Sequence, residues 1–230
     1  ILFTAGSTGL PKSVFHPIKN FILSAYEVSK ACKFSKNDTW LLNLPFFHVS
    51  GLGIMFRVFL QSATLHIGNT HNINNITHIS CVEKQLDELL KNKFLNIKCI
   101  LIGGSSISNE KLMRALDKKL PIYKTYGLTE NCSAVSIMKI NQKLIHTSGK
   151  ILNHCRVKIL NGMIYLKSKS LAPYYQIKNK KIKINSNEWF KTKDIGYFEK
   201  NNLVISGRND SMIIINGENI FCENIETVIN

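Results

Sequence analysis

Apolar residues recur along the first 145 residues in two rhythms, which predict alternating helices and strands. Phe21, Ala25 and Val28 follow the three- and four-residue spacing of one helix face. Residues 98–102 form a short continuous apolar run typical of a buried strand, and Ser108 has the side chain of a helix N-cap. The pattern predicts a strand–loop–strand unit over 1–14, helices over 21–32, 51–60, 79–90 and 108–119, and strands at 40–44, 63–67, 98–102 and from 122.

The pattern changes near residue 145, after which short β-rich runs alternate with turns. Strands are predicted at 156–160, 163–167, 181–184, 203–205 and 212–215. Strands that alternate with helices favour a parallel sheet, whereas closely spaced short strands favour an antiparallel one. The predicted fold class is therefore α/β, with a layered parallel-sheet subdomain over 1–145 and a small antiparallel β subdomain over 146–209.

Charge and length change this picture little. The 230 residues carry a formal net charge of +15, but the lysines are spread along the chain. The densest lysine cluster, residues 178–183, is not interleaved with stacking aromatics, so a nucleic-acid partner is not expected. A nucleotide triphosphate or another acidic substrate would also suit this charge. No apolar run approaches the roughly 18 residues of a membrane span.

The ends and the cysteines bear on processing and compartment. The chain begins at Ile1 without a visible signal peptide and is interpreted as a piece that lacks its original N-terminus. Its six cysteines are irregularly spaced and form no C-x-x-C pair. This spacing argues against a zinc site or disulfide framework and favours a reduced, cytoplasmic protein.

The first candidate site is a glycine-rich segment, Thr4-Ala5-Gly6-Ser7-Thr8-Gly9-Leu10-Pro11-Lys12. Glycines allow backbone N–H groups to approach an anion, hydroxyl groups can donate to phosphate oxygens, and a lysine can neutralise the outer phosphates. The spacing G-x-x-G-x-x-K differs from that of the kinase and GTPase loop. A polar surface loop is the alternative.

Two further segments follow predicted strands. Gly103 and Gly104 end a buried strand, where a flat adenine could lie against the backbone. Tyr126-Gly127-Leu128-Thr129-Glu130 supplies a ring for stacking, a hydroxyl group for a phosphate and a carboxylate for Mg²⁺. An ordinary strand-to-helix turn and a helix-capping loop are the respective alternatives.

The β-rich part contributes two more candidates. Asp194, within residues 189–196, could accept both ribose hydroxyls, although a turn aspartate is the simpler interpretation. Arg208 follows a strand and could bind ribose or phosphate, and Asp210 lies in a Gly- and Asn-rich stretch suited to a hinge. A plain hairpin is the alternative for this stretch.

Taken in order, these segments resemble the adenylate-forming acyl-CoA synthetases, also called AMP-binding ligases. The family motifs are a T-S-G-S/T-T-G-x-P-K loop, Y-G-x-T-E, W-x-x-T-x-D and G-R-x-x-D-x-I-x-x-x-G-E-N-I, and the resemblance covers essentially the whole chain. Residues 44–57 and Lys193 are most similar to the o-succinylbenzoate–CoA ligases of menaquinone biosynthesis.

The resemblance implies an enzyme that joins a carboxylate to coenzyme A through an acyl-adenylate, with ATP and Mg²⁺. It assigns Thr4, Ser7, Thr8, Gly9 and Lys12 to the outer phosphates, Gly103, Gly104, Tyr126 and Gly127 to adenine, Thr129 to the α-phosphate, Glu130 to Mg²⁺, and Asp194 and Arg208 to ribose. The catalytic set it implies is Lys12, His48, Thr129 and Glu130.

The same resemblance places the acyl substrate against His48, Ser50 and Arg57. Because o-succinylbenzoate has two carboxylates, the one that does not react needs a cationic partner, and Arg57 is the candidate. A helix-surface arginine is the alternative. Asp210 matches the family hinge, so 210–230 would begin a C-terminal lid, and this chain alone is expected to be inactive. The sequence does not decide between a monomer and a homo-oligomer.

Overall fold

The computed structural model describes residues 1–5, 11–68, 75–91, 96–178, 180–185, 187–215 and 218–221. At residues 5, 11, 212–215 and 218–221 it describes the backbone alone. The predicted phosphate-loop residues Ser7, Thr8 and Gly9 therefore lie outside the described residues, whereas Thr4 and Lys12 at the two ends of that loop lie within them.

Four α-helices and two single-turn 3-10 helices are present in the described residues. The α-helices are α1 (Ile18–Cys32), α2 (Val49–Gln61), α3 (Glu83–Lys91) and α4 (Asn109–Asp117), and the 3-10 helices are Thr129–Asn131 and Gln142–Leu144. The predicted cap of α4 is confirmed, because the Ser108 hydroxyl accepts a hydrogen bond from the Lys111 amide at 3.3 Å. None of the described helices is long and apolar enough to cross a membrane.

The strands are numbered along the chain. They are β1 (Leu2–Ala5), β2 (Pro11–Phe15), β3 (Thr39–Leu42), β4 (Thr64–Ile67), β5 (His78–Cys81), β6 (Cys99–Ile102), β7 (Ile122–Leu128), β8 (Ser133–Lys139), β9 (Lys150–Ile151), β10 (Cys155–Leu160), β11 (Met163–Ser168), β12 (Tyr174–Ile177), β13 (Lys180–Lys183), β14 (Phe190–Glu199), β15 (Asn202–Arg208), β16 (Met212–Ile215) and β17 (Glu218–Phe221).

A seven-stranded sheet forms the centre of the fold, in the order β4-β3-β5-β6-β7-β8-β9. The first five of these strands pair in parallel, and β8 and β9 join antiparallel. An apolar cluster that includes Ile100, Leu112 and Ile122 packs α4 on one face, and a second with Val28, Ile54 and Leu101 packs α1 and α2 on the other. Both faces are thus covered, which explains why β6 is apolar throughout.

Two four-stranded antiparallel sheets and a hairpin complete the described fold. The sheets are β1-β2-β12-β13 and β10-β11-β14-β15, and the hairpin is β16-β17. The first sheet combines strands from both sides of residue 145, because Tyr175 of β12 pairs with Val14 of β2. The division into subdomains at that residue stays a prediction, and the sheets do not follow it strictly.

One predicted helix is partly wrong. Ile79 lies in strand β5 between β3 and β6, and the helix in this region begins only at Glu83. All four residues of β5 are buried, so apolar periodicity could not separate the end of this strand from the start of α3. Six strands, β5, β8, β9, β12, β14 and β17, were not predicted.

Candidate functional site

Lys12 and Glu130 form a direct ion pair, although 118 residues separate them in sequence. Lys12 lies on β2, and Glu130 lies in the 3-10 helix that follows β7. The Lys12 and Glu130 side chains are 14% and 19% exposed. The Lys12 ammonium also lies 3.6 Å from the centre of the Tyr175 ring. The structure thus brings the predicted phosphate lysine and the predicted Mg²⁺ ligand to one point.

A second cluster joins Tyr126, Asp194 and Arg208. The Tyr126 hydroxyl donates to Asp194 Oδ2, and Arg208 Nη1 lies 3.7 Å from Asp194 Oδ1. Pairing of Asp194 with Arg208 across β14 and β15 sets this approach. Thr192 fixes the backbone beneath it, because its hydroxyl donates to the Ile164 carbonyl and accepts from the Asp194 amide.

Burial dominates the electrostatics of this second cluster. It raises the pKa of Asp194 above its ordinary value, although the Tyr126 hydroxyl and the Arg208 charge oppose the change. It also raises the pKa of Tyr126, and the neighbouring Asp194 charge acts in the same direction. Tyr126 therefore remains a hydrogen-bond donor near neutral pH.

Asp210, the predicted hinge residue, is held by two cations. Arg208 donates from Nε to Oδ1 at 3.0 Å and from Nη2 to Oδ2 at 3.1 Å, which is a bidentate arrangement. Lys193 donates to Oδ2 at 3.0 Å. Arg208 thus contacts Asp194 and Asp210 together.

The glycines predicted to frame adenine lie close to backbone. A Cβ atom on Gly103 would come within 2.6 Å of the Thr125 methyl group and 3.0 Å of its carbonyl oxygen. Gly104 has a φ of +91°, in the region that favours glycine. A Cβ on Gly127 would lie 2.3 Å from the Ser133 carbonyl oxygen. Close packing against the neighbouring strand β8 is therefore enough to explain a glycine at position 127 of β7, without a nucleotide.

The predicted acyl-site residues share helix α2 and its start. His48 is the exposed N-cap residue, makes no side-chain capping bond, and packs its ring 4.6 Å from that of Phe47. Ser50 is half-buried in the first turn. Arg57 lies two turns further along the same helix.

The alternative of Arg57 as a helix-surface residue is wrong. Arg57 is 2% exposed, and its guanidinium carbon lies 4.5 Å from the centre of the Trp40 ring. Nε and Nη1 have no hydrogen-bond partner among the described residues. Burial lowers the pKa of Arg57 to about 10. Nη2 would lie 2.9 Å from a Cβ on Gly53, so the guanidinium extends back toward the start of α2.

Sequence reasoning missed three residues next to the Lys12–Glu130 pair. Tyr175 lies against Lys12 only because β12 pairs with β2. His16 contacts the Thr129 carbonyl oxygen at 2.7 Å, and Asn20 contacts His16 at 3.1 Å. His16 follows β2 and Asn20 lies at the start of α1, and neither belongs to a recognisable motif. Only the three-dimensional arrangement therefore reveals them.

The chain belongs to the AMP-binding enzyme family, because the family model for the AMP-binding enzyme matches residues 1–169. It is 37% identical to the 2-succinylbenzoate–CoA ligase of Haemophilus influenzae, over 98% of this chain and 52% of that protein. The chain thus spans about half the length of the curated relatives it matches.

Solved structures support the same fold. The o-succinylbenzoate CoA synthetase (MenE) of Bacillus subtilis in complex with the acyl-adenylate intermediate OSB-AMP is 28% identical, with a TM-score of 0.87 over 99% of this chain and 52% of that one. The same synthetase in complex with ATP and magnesium ion is 27% identical, with a TM-score of 0.85 over 99% and 54%.

Proposed function

We propose that this chain is the nucleotide-binding part of an ATP-dependent acid–thiol ligase whose acid is 2-succinylbenzoate. In the first step a carboxylate oxygen attacks the α-phosphorus of ATP and pyrophosphate leaves. In the second the thiol of coenzyme A attacks the acyl carbon and AMP leaves. The names and ligands of the relatives support this reaction.

The observation that carries the proposal is the Lys12–Glu130 pair. A lysine and a carboxylate in contact can separate when a triphosphate and a cation bind. The lysine then pairs with a phosphate and the carboxylate with the cation, so neither charge is left unpaired. Mg²⁺ commonly binds one or two carboxylates together with substrate phosphates and water, so Glu130 is a sufficient protein ligand. The bound cation would neutralise charge on the phosphates, while Lys12 and the Thr129 hydroxyl orient them.

The Tyr126–Asp194–Arg208 cluster supports a ribose site. A buried carboxylate with a raised pKa gains from two hydroxyl donors, because their hydrogen bonds stabilise its charged form. Tyr126 already provides one such bond. Gly103 and Gly104 lie at the carboxyl end of the neighbouring parallel strand β6, where ligands of open α/β sheets bind.

Arg57 supports a dicarboxylic acid as the substrate. A buried guanidinium with two nitrogens that lack a hydrogen-bond partner in the described part of the chain is destabilising, and a carboxylate would satisfy it with two parallel hydrogen bonds. The guanidinium points toward the start of α2, near His48 and Ser50. We therefore assign the non-reacting carboxylate of 2-succinylbenzoate to Arg57 and the rest of the acyl group to the His48 end.

The test is ATP-dependent pyrophosphate release by the full-length gene product, with 2-succinylbenzoate, benzoate and short and medium fatty acids. We expect strong preference for 2-succinylbenzoate. Arg57→Met keeps the buried volume and should lower kcat/KM for this acid about 100-fold, since breaking a buried charge pair costs roughly 2–5 kcal/mol. Benzoate turnover should hardly change. Arg114→Met, at an exposed arginine, is the matched control.

The other outcomes separate the alternatives. Release with a monocarboxylic aryl or fatty acid alone would keep the ligase and reject 2-succinylbenzoate. ATP binding without release for any acid would favour a non-catalytic nucleotide-binding protein. We place the protein in the cytoplasm, and the five cysteines within the described residues, all free and buried, support a reducing compartment.

A further inference from the structure

Three successive backbone carbonyls of the 3-10 helix Thr129–Asn131 each accept a hydrogen bond from a residue outside the turn, one from His16 and two from residues 170–172. His16 Nε2 lies 2.7 Å from the Thr129 oxygen, the Ala172 amide donates to the Glu130 oxygen at 2.8 Å, and the Ser170 hydroxyl donates to the Asn131 oxygen at 2.9 Å. Fixing every carbonyl of a single turn from outside leaves its backbone little freedom.

The contact with the Thr129 carbonyl oxygen defines the tautomer of the His16 ring. A carbonyl oxygen can only accept, so Nε2 carries the hydrogen, and Nδ1 is then an acceptor for the Asn20 amide at 3.1 Å. Desolvation by burial lowers the pKa of His16, which keeps the ring neutral near pH 7, although the Thr129 bond and the Glu130 charge act the other way.

Asn20 links this contact to the other two donors. It is 1% exposed, and its Nδ2 also lies 3.0 Å from the carbonyl oxygens of Ser170 and Leu171. Residues 170–172 supply the hydroxyl and the amide that hold Asn131 and Glu130. One buried amide therefore ties His16 to the loop that holds the rest of the turn.

The turn is also held through the side chain of Glu130. Lys12 contacts the Glu130 carboxylate, and His16, four residues later, contacts the Thr129 carbonyl. Strand β2 and the residue that follows it thus fix the side chain of Glu130 and the backbone beside it together. A nucleotide that drew Lys12 away from Glu130 would leave the carbonyl contacts, together with the side-chain hydrogen bonds of Asn131 to Ala134 and Ser170, to hold the turn.

We propose that His16 and Asn20 are positioning residues that hold the Thr129–Glu130 turn in the geometry needed for the phosphates and Mg²⁺. This inference rests on the proposed function, because it assigns a purpose to the rigidity of that turn. Neither side chain touches a reacting group. They fix the positions of the Thr129 hydroxyl and the Glu130 carboxylate. A small displacement of such groups strongly lowers the reaction rate.

The test compares variants of the full-length gene product by pyrophosphate release at varied Mg-ATP and acid. We expect His16→Ala to lower kcat about 10- to 100-fold, as for other displaced groups, with the KM for the acid unchanged. His16→Gln keeps an N–H donor and should recover most of the lost rate. Asn20→Ala should also lower kcat, and the double variant should be no worse than His16→Ala, since the two residues act as a unit.

His146→Ala is the matched control, since this half-exposed histidine lies elsewhere and contacts Glu199. Wild-type rates in His16→Ala, or no recovery in His16→Gln, would overturn the positioning role while leaving the ligase intact. Absence of release by the wild type would instead reject the proposed function. ¹⁵N NMR of the His16 ring decides the contact independently of activity: an Nδ1–H tautomer or an imidazolium at pH 7 would overturn it.

Discussion

At the scale of single residues, the candidate site depends on charged groups that the fold removes from water. Arg57 is buried on the Trp40 ring, and Asp194 is buried against Tyr126. Burial disfavours the charged form of both side chains, which lowers the pKa of Arg57 and raises that of Asp194. Stability alone would favour neutral residues at both positions, which agrees with the ligands that we propose for them.

Asp194→Asn tests this conflict between stability and binding. An acid whose folded pKa is raised contributes stability below its unfolded pKa, near 4, and loses it as the pH rises. At pH 7 the variant, which can still accept from Tyr126, should therefore unfold with an equal or larger free energy in urea. Its affinity for AMP should fall about 10- to 100-fold, since hydrogen bonds to charged groups contribute roughly 1.5–3 kcal/mol.

Isothermal titration calorimetry with AMP measures the affinity of Asp194→Asn, and urea unfolding at pH 7 measures its free energy of unfolding. Lower stability with unchanged AMP affinity would show that the carboxylate is structural and not part of a ribose site.

At the scale of elements, the helices keep the carboxyl ends of the parallel strands in place. Helix α4 packs through Leu112 and Ala115 into the cluster that also contains Ile100 and Ile102 of β6. Gly103 and Gly104 follow directly. Stability of the start of α4 is therefore linked to the backbone on which we place adenine.

Ser108→Ala removes the cap of α4 and should lower the free energy of unfolding by about 1 kcal/mol. The reason is that the Lys111 amide loses the acceptor that it has in the Ser108 hydroxyl. Urea unfolding measures the change. Ser105→Ala, at an exposed serine three residues earlier, is the matched control and should change stability by less than about 0.5 kcal/mol. Equal effects from the two variants would contradict the cap.

At the scale of the whole molecule, two buried histidines and the half-buried His16 share one property, although they lie in different parts of the fold. Desolvation lowers the pKa of His16 near the 3-10 helix, of His78 on β5, and of His154 before β10. For His154 the pKa falls to about 4, and neither ring nitrogen has a partner among the described residues. These three histidines therefore bind fewer protons in the folded protein than in the unfolded chain in the acidic range.

This difference predicts that stability falls as the solution is acidified. The histidine contributions are complete above the unfolded pKa of about 6.5 and are lost as the pH falls through the folded values, toward about 4 for His154. Urea unfolding between pH 7.5 and 4.5 should show this decline. His154→Phe keeps a ring of similar size without a titrating group and should make the decline shallower.

Comparison of the two proteins at pH 7.5 separates the packing effect of the phenyl ring from titration. An identical pH dependence in wild type and His154→Phe would mean that His154 is not the source of the decline.

Local patterns predicted most elements and left specific errors. The spacing of apolar residues correctly placed α1 and α2, and the Ser108 cap placed α4. Ile79 was assigned to a helix because a four-residue strand that is buried on both faces has no period of its own. Strand β12 was missed because its stabilising partner, β2, lies about 160 residues earlier in the chain.

The sequence by itself determined the order of the motifs, and with it the family and the candidate site residues Lys12, Glu130, Asp194 and Arg208. Such motifs can be recognised locally because each needs particular residues at short spacing. Only the tertiary structure decided that Arg57 is buried with two guanidinium nitrogens unpartnered among the described residues. It also decided that Tyr126 donates to Asp194 and that His16 contacts the Thr129 carbonyl oxygen. Burial and long-range hydrogen bonds depend on which strands pair and which helices cover them, and no short stretch of sequence contains that information.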